Sequence, residues 1–599
     1  LFGFLYDIGA IPIQAAGGWE AIPGSGVPAT GAQIRSGDTD WQKANPDLGT
    51  HIGIPNMTTM DLFLNGSYDL NDDMELYSFG GFTNRGGKSY ALYRAPYWPG
   101  VSDSYNLIAG AKINGFQPTF ETDITDNSLT AGIRGTMSSW QFDVSASSGR
   151  NKVDYSVNNS LNMDMGANSP TEFKPGGYEF GHTVFNADAA NTFGKLSLGL
   201  GTEYRLDNFV ALAGDEASYY GGGVQSFPGI QPQNAVNESR SNIGFYGDAE
   251  YDVTDDLLVG AAARYENYND FGTSITWKTT GRYKMMDDNL SVRGSVSTGF
   301  RAPSLHQMYM SNIQTLLSGS TISNQGTYNN ESDVVASLGV DKLKEENSFN
   351  MTFGFAFNMQ GLYTSFDYYD ISVDDRIVYS SSIASSDATT QVGQILAAAD
   401  ITSLKFFTNA IDTKTSGMDI VVSYSGMNLG PGTMDINLAA NVNKTEIVGA
   451  IATPAPITAA GVDLFDRKEQ SRIETARPAQ KATIGLTYNM GGLSIAVNNT
   501  RFGEVTWRHA AGDASLDYDD ATDQTFSAKM LTDLNLNYQI NEMLGLSLVV
   551  NNLGDVYPDK INTKGDFEAD LGGRFEYPWE VNQFGFTGMT ILSGLTVRF

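Results

Sequence analysis

The sequence predicts an all-β fold, a large antiparallel transmembrane β-barrel with short periplasmic turns and long extracellular loops. Three observations predict it. Apolar and polar residues alternate in segments of roughly 8 to 12 residues from one end to the other, with almost no 3.6-residue period. Two kinds of connection separate these segments, short Gly/Asn/Asp turns and long polar stretches. The composition is rich in turn formers and aromatics, with 65 Gly, 29 Tyr and 32 Phe among 599 residues and only 18% charged side chains.

Several classes are excluded at once. No stretch approaches the roughly 18 to 20 consecutive apolar residues that a membrane-spanning helix needs. Apolar residues make up 41% of the chain, which rules out wholesale disorder. With no cysteine there is no disulfide framework, thiolate zinc site, iron–sulfur ligation or Cys nucleophile. The formal charge, 37 − 68 = −31, argues against nucleic acid as a partner. No charged, then apolar, then small-residue leader follows Leu1, so a signal peptide is expected to have been removed or to precede it.

Residues 1–60 read as an extracellular loop segment, rich in Gly, Pro and Ala up to Ile54, that leads into Asp61–Leu70, and residues 61–599 read as barrel. Leu129, Ala131, Ile133 and Met137 alternate with polar neighbours, turn at Ser138 to Trp140, and return as Phe142, Val144 and Ala146. Val292, Val296 and Phe300 alternate with Arg293, Ser295, Ser297 and Arg301. Phe349, Met351, Phe353, Phe355 and Phe357 form an aromatic stripe that turns into Leu362–Tyr368. Met434 to Val442 alternate in the same way, and Leu534, Leu536 and Tyr538 face away from Asp533, Asn535 and Asn537. The last segment, Met589, Ile591, Leu595, Val597 and Phe599, alternates up to the final residue.

Short turns are expected near 71–73, 138–140, 252–256, 287–289, 358–361, 426–432, 490–492 and 541–543. Long polar stretches lie near 85–128, 149–183, 206–242, 301–347, 373–416, 444–480, 503–530 and 553–585. Structureless loops of that length count against a compact soluble domain but suit a membrane barrel. β-Sandwiches or a propeller would also alternate, yet no repeat of constant period occurs. The hairpins and one final strand give about 19 strands, where single-chain bacterial barrels have even numbers. The odd count implies that the sequence begins inside the barrel or that a strand was missed.

At this point the sequence resembles the TonB-dependent outer-membrane receptors over nearly its whole length. Its most specific block is Ser297-Thr298-Gly299-Phe300-Arg301-Ala302-Pro303-Ser304, similar to the family's Gly-Phe-Arg-Ala-Pro-Ser segment at the outer end of a mid-barrel strand. Phe366 to Ile371, Asn409 to Asp412 with Ser416 to Asp419, Asn551 to Tyr557, and Tyr77 to Arg94 follow in the family's order. The resemblance implies a barrel of about 22 strands with a plugged lumen. Nothing in residues 1–60 reads as that plug, so the plug domain and first three strands are expected to precede Leu1. It also implies a terminal Phe599 read by the outer-membrane assembly machinery.

An enzyme is not expected. His51, His182, His306 and His509 are scattered, with no metal-ligand spacing, and Gly221-Gly222-Gly223 opens no helix. No cofactor and no metal are expected. Asp513, Asp517, Asp519, Asp520 and Asp523 could ligate calcium, but they lack the spacing of an EF-hand and read as a solvated loop. Tyr90, Tyr93, Arg94, Tyr97 and Trp98 form an aromatic and cationic cluster suited to gripping a ligand at a barrel mouth, with an aromatic girdle as the plainer alternative. Arg134, Arg293 and Arg301 read as charges facing the lumen or the plug. The expected function is TonB-coupled uptake of a scarce, bulky solute of the ferric siderophore, cobalamin, oligosaccharide or peptide class. Alternatives are a passive channel or a barrel anchor for a surface assembly. Expected partners are outer-membrane lipid and lipopolysaccharide, the TonB energy-transducing complex through a missing N-terminal region, the assembly machinery and the solute.

Overall fold

The structure, a computed structural model, describes residues 55–598 apart from 92, 95–107, 109–115, 319–320, 400, 511–522, 562–575, 579 and 582. The segment 1–54, Asp513 to Asp520, Tyr97, Trp98 and Phe599 therefore lie outside the described residues.

Nineteen strands form one antiparallel sheet, each paired with its neighbours along the chain from Asn56–Asn71 to Thr590–Val597. The sheet is the large barrel type that the alternation predicts. Among the described residues no pairing joins the first and last strands, so its two edges stay open. Turns of two to four residues connect alternate strands. At one of them Gln360 and Gly361 both have positive φ, 51° and 85°. That is the geometry a two-residue hairpin needs to match the twist of its strands.

Two connections escaped the sequence reading. Strands Glu172–Phe193 and Leu196–Leu212 meet at a tight turn at Gly194 (φ 63°). Residues 269–271 alone join Leu257–Tyr268 to Gly272–Met285 at the outer end, where a long loop was the pattern. Several other outer loops are also shorter than expected, while the last is longer, with Thr590 the first described strand residue after Asn551: the stretch 85–128 shrinks to 91–118 and 149–183 to 159–171, because the strands run on to lengths such as 19 residues for Thr119–Met137 and 22 for Glu172–Phe193. Beyond the lipid both faces of a strand meet water, so alternation fades while backbone pairing continues. Arg150 and Glu179 illustrate this, forming an ion pair across two neighbouring strands where polar residues occupy both faces.

Side-chain alternation divides the sheet into two faces. Leu200, Phe353 and Ile484 are each more than half exposed, as apolar groups facing lipid are in a chain without its bilayer. No helix among the described residues is long and apolar enough to cross a membrane. The largest buried apolar cluster lies in the outer connections instead. Leu338, Val392, Leu404, Phe406, Ile457 and Leu464 come from the loops after Leu290–Arg301, Leu362–Tyr379 and Gly432–Val448. Short helices support it, with Thr390 capping Gln391–Ala398 and Asp466 capping Arg467–Glu474 through side-chain oxygens that accept backbone N–H bonds. A second cluster, including Val505, Trp507, Phe526 and Val581, continues this packing into the last two outer loops.

A face-specific outcome follows. Ile484→Arg is expected to destabilise the barrel in lipid by about 2–4 kcal/mol, whereas Thr483→Arg on the opposite face costs less than about 1 kcal/mol. Denaturant titration of both variants refolded into vesicles checks the contrast.

Candidate ligand mouth and polar wall

Residues directly opposite each other in paired strands share a face, so the register traces one face around the sheet. Arg134 lies opposite Asp143, Asp143 opposite Asp188, Asp188 opposite Gly201, and Gly201 opposite Tyr246. This polar face carries cross-strand pairs. Arg134 bridges to Glu75 at 2.8 Å and lies over the Tyr77 ring, whose hydroxyl donates to Asp143 at 2.9 Å. Tyr246 donates likewise to Asp188 at 2.8 Å. Near the turn end a cavity of about 710 Å³ opens between Asp143, Asp188, Tyr246 and Asp248.

Toward the outer end the same face turns aromatic. Phe120 and Tyr155, on adjacent strands, stack at 5.1 Å, and Phe227 from the loop 213–235 tilts over both at 5.0 and 5.4 Å. Tyr155 meets Tyr178 edge-on at 6.1 Å, and Tyr178 stacks with Phe209 at 6.0 Å. His306, on the helix Leu305–Tyr309, lies 4.3 Å from Phe209 and 5.6 Å from Phe180. Each such contact contributes about 0.5–1.5 kcal/mol beyond burial, so the rings form a pre-organised wall. Burial lowers the His306 pKa, and the imidazole docks neutral.

The segment from Gly299 to Ser304 sets that helix in place. Arg301 forms a two-armed ion pair with Glu346 on the next strand, and Glu346 also accepts the Ile377 N–H at 2.7 Å. The Pro303 carbonyl accepts from Arg240 at 2.7 Å, while Arg240 is 5% exposed and paired with Asp270 at 2.6 Å. Ser304 and Gln307 complete a reciprocal capping box that starts the helix.

The predicted ligand residues are not all gathered at this wall. Tyr90 ends the strand Met74–Tyr90 on the face of Leu76 and Phe82, opposite to Tyr77. Arg94 is buried, pairs through its backbone with Phe116, and donates from Nε to Gln225 Oε1 at 3.2 Å. It ties the loop after Tyr90 to the loop that supplies Phe227. Tyr93 lies beside it in sequence, and Tyr97 and Trp98 are outside the described residues. Arg293 makes a bidentate pair with Asp367, its Nη2 donating at 2.7 Å to both oxygens. The sequence reading missed Phe120, Tyr155, Tyr178, Phe180 and Phe209. Their signal was parity: each is an aromatic on the polar rather than the apolar phase of its strand. Among the described residues no group of three or more His, Asp or Glu is placed to hold a metal ion.

Residues 61–553 match the family described as TonB dependent receptor-like, beta-barrel. The chain belongs to the TonB-dependent receptor β-barrel family. This is a family of outer-membrane receptors and transporters rather than enzymes, which places the protein in the outer membrane. Solved structures agree on the fold. The ferric enterobactin receptor PfeA of Pseudomonas aeruginosa, in a mutant form, is 14% identical with a TM-score of 0.60, over 94% of this chain and 73% of that one. The siderophore receptor PirA of Acinetobacter baumannii gives 14% and 0.58 over the same shares, and the iron transporter FrpB of Neisseria meningitidis gives 12% and 0.56 over 91% and 73%. At these identities the likeness is one of fold. No curated protein sequence matches the chain.

Two outcomes test the docked helix of this TonB-dependent receptor. Phe209→Ala is expected to cost about 3–5 kcal/mol of local stability, read as faster hydrogen exchange over residues 304–310. The second concerns pH. The docked His306 has a lowered pKa, whereas the released imidazole titrates near its ordinary value of about 6.5. Docking is therefore complete above about pH 6.5 and weakens as pH falls toward the lowered value, since protons favour the released form. Exchange corrected for intrinsic rates should rise on acidification, and His306→Phe should flatten that rise.

Proposed function

We propose that this receptor takes up a scarce, bulky solute by TonB-coupled transport, and that the aromatic wall of Phe120, Tyr155, Tyr178 and Phe227, backed by the buried Phe209, grips the solute at the outer mouth. The observation that carries this reading is the placement of Phe120, Tyr155, Tyr178 and Phe209 on the polar face at the outer ends of four adjacent strands, with Phe227 from the loop 213–235 tilted over the first two. In a membrane barrel the apolar face meets lipid, so the polar face lines the lumen. Arg134, Arg293 and Arg301 then point inward, and their ion pairs stiffen the wall against which a plug is held. A pre-formed apolar surface with a few polar groups binds a large solute without paying to order loops.

The solved relatives are named as receptors or transporters of siderophores, ferric enterobactin and iron. They favour the metal-chelate class over cobalamin, oligosaccharide or peptide. The assembly machinery, lipopolysaccharide and the TonB complex are the partners this reading requires.

The test is solute binding and uptake in a deletion strain supplied with single iron sources. Tyr155→Ala combined with Phe120→Ala should weaken surface binding at least about tenfold, as loss of two stacking platforms implies. Removing TonB should abolish uptake while leaving surface binding intact. Uptake that survives without TonB would establish a passive channel instead.

A further inference from the structure

On the polar face, cations line up along two adjacent strands, Gly272–Met285 and Leu290–Arg301. The register places them. Tyr246 lies opposite Arg264, and Arg264 opposite Thr276, so Lys278, Arg282 and Lys284 share the face of Tyr246. Across the next pairing Lys278 is opposite Ser297 and Arg282 is directly opposite Arg293. Arg301, on the same phase as Arg293, stands at the outer end and Lys284 at the turn end. With about 3.3 Å per residue, the line from Arg301 down to Ser291, which faces Lys284, runs roughly 33 Å, enough to cross the apolar band of about 25 Å.

Charge pairing separates two of these cations from the rest. Arg85, Arg134, Arg240, Arg264, Arg293 and Arg301 on this face each hold a carboxylate. Lys278 and Arg282 are exposed and, among the described residues, neither makes a hydrogen bond or ion pair. The facing positions on the preceding strand are Ala262 and Leu258, which offer no acceptor. Like charges directly opposite each other are destabilising, so Arg282 against Arg293 is a cost that the fold carries without internal compensation for Arg282. This happens in a chain with 68 acidic and 37 basic side chains, where a carboxylate partner is the commoner neighbour. Carboxylates stand on both sides of the line, with Asp248 two strands away across Ala262 from Lys278, Asp143 opposite Asp188 farther on, and Asp367 opposite Asp419 beyond the next strand. Among the described residues, Lys278 and Arg282 lie on one strand of this face without carboxylate partners, so a mobile oxyanion is favoured beside them.

We propose that Lys278 and Arg282, with Arg293 directly opposite Arg282 and held by Asp367, form an anion track on the lumen wall, passing a bulky solute that carries carboxylate or phosphate groups from the outer mouth toward the periplasmic end. The assignment rests on reading the polar face as the lumen, and it narrows the transported solute to an anion. Lys278 meets the solute as a point charge, and Arg282 offers a planar pair of donors. Each is four residues from the other, about 13 Å, so an anion passes from one to the next rather than being held by both.

Calorimetry on the purified full chain in detergent at low salt tests this, with citrate as the carboxylate probe, pyrophosphate as the phosphate probe and a neutral trisaccharide as control. The wild type is expected to bind at least one anion, with affinity falling at least about tenfold between 20 and 200 mM salt as the charges are screened. Lys278→Gln with Arg282→Gln should weaken that binding at least about tenfold, while the charge-preserving exchange Lys278→Arg with Arg282→Lys retains it. An effect confined to citrate identifies carboxylate as the anion, and one confined to pyrophosphate identifies phosphate. Heat-modifiable gel migration shows that each variant is folded. Equal binding of both anions by wild type and the Gln variant, or no binding by either, overturns the track. Purified protein needs no TonB, so that failure leaves the uptake proposal standing, and TonB-independent uptake would in turn leave the track standing.

Discussion

In hydrocarbon every backbone N–H and C=O must find a partner within the protein, because no water is there to take it. The rest of this structure depends on that constraint. It forces the chain into continuous antiparallel pairing, and pairing imposes a period of two on the side chains. Once the period is fixed, Leu486 faces lipid and Gly485 does not, and a shift of one residue would reverse every such choice. The same pairing brings into contact residues far apart in sequence, as with Arg293 and Asp367, 74 positions from each other.

The constraint also decides where packing energy resides. A single sheet that faces lipid on one side and water on the other has no room for a core between layers. The buried core lies in the outer loops, where Phe406, Leu404 and Ile457 have no exposed surface. Charge follows the same geography. Arg472 joins Glu469 and Glu580 from separate loops, and the Trp507 indole N–H donates to the Glu580 carboxylate at 3.3 Å. Glu469 and Glu580 are nearly buried, so removing Arg472 would take away the guanidinium that both carboxylates share. These connections make the later outer loops a packed platform.

Much of the barrel was legible in the sequence because the period-two signal is strong wherever one face meets lipid. Met434 to Val442 and Leu534 to Tyr538 fell on the apolar face as read, and the sheet has the nineteen strands that the hairpins implied. The family followed from the Gly-Phe-Arg-Ala-Pro-Ser segment, whose physical work is now apparent: Arg301 clamps the next strand, and Ser304 starts the helix that presents His306. Strand ends beyond the membrane were not legible, since both faces are wet there and alternation vanishes. The aromatic wall was not found because it is assembled from four strands and two loops, with one ring or two from each. The sequence reading pointed instead to the local density of aromatics after Tyr90, as a ligand grip or an aromatic girdle, and Tyr90 itself faces the apolar side.

The claim on which the functional reading turns is that the polar face encloses an aqueous interior. The chain has no cysteine, so single cysteines can be introduced without background. Substituting each residue from Ala482 to Tyr488 in turn, and reacting the protein in vesicles with a water-soluble and with a lipid-soluble thiol reagent, reads the environment of each side chain. The account predicts strict alternation: positions 483, 485 and 487 react with the water-soluble reagent, and 482, 484, 486 and 488 with the lipid-soluble one. Equal reaction of all seven positions with the water-soluble reagent, or alternation in the opposite phase, would contradict it.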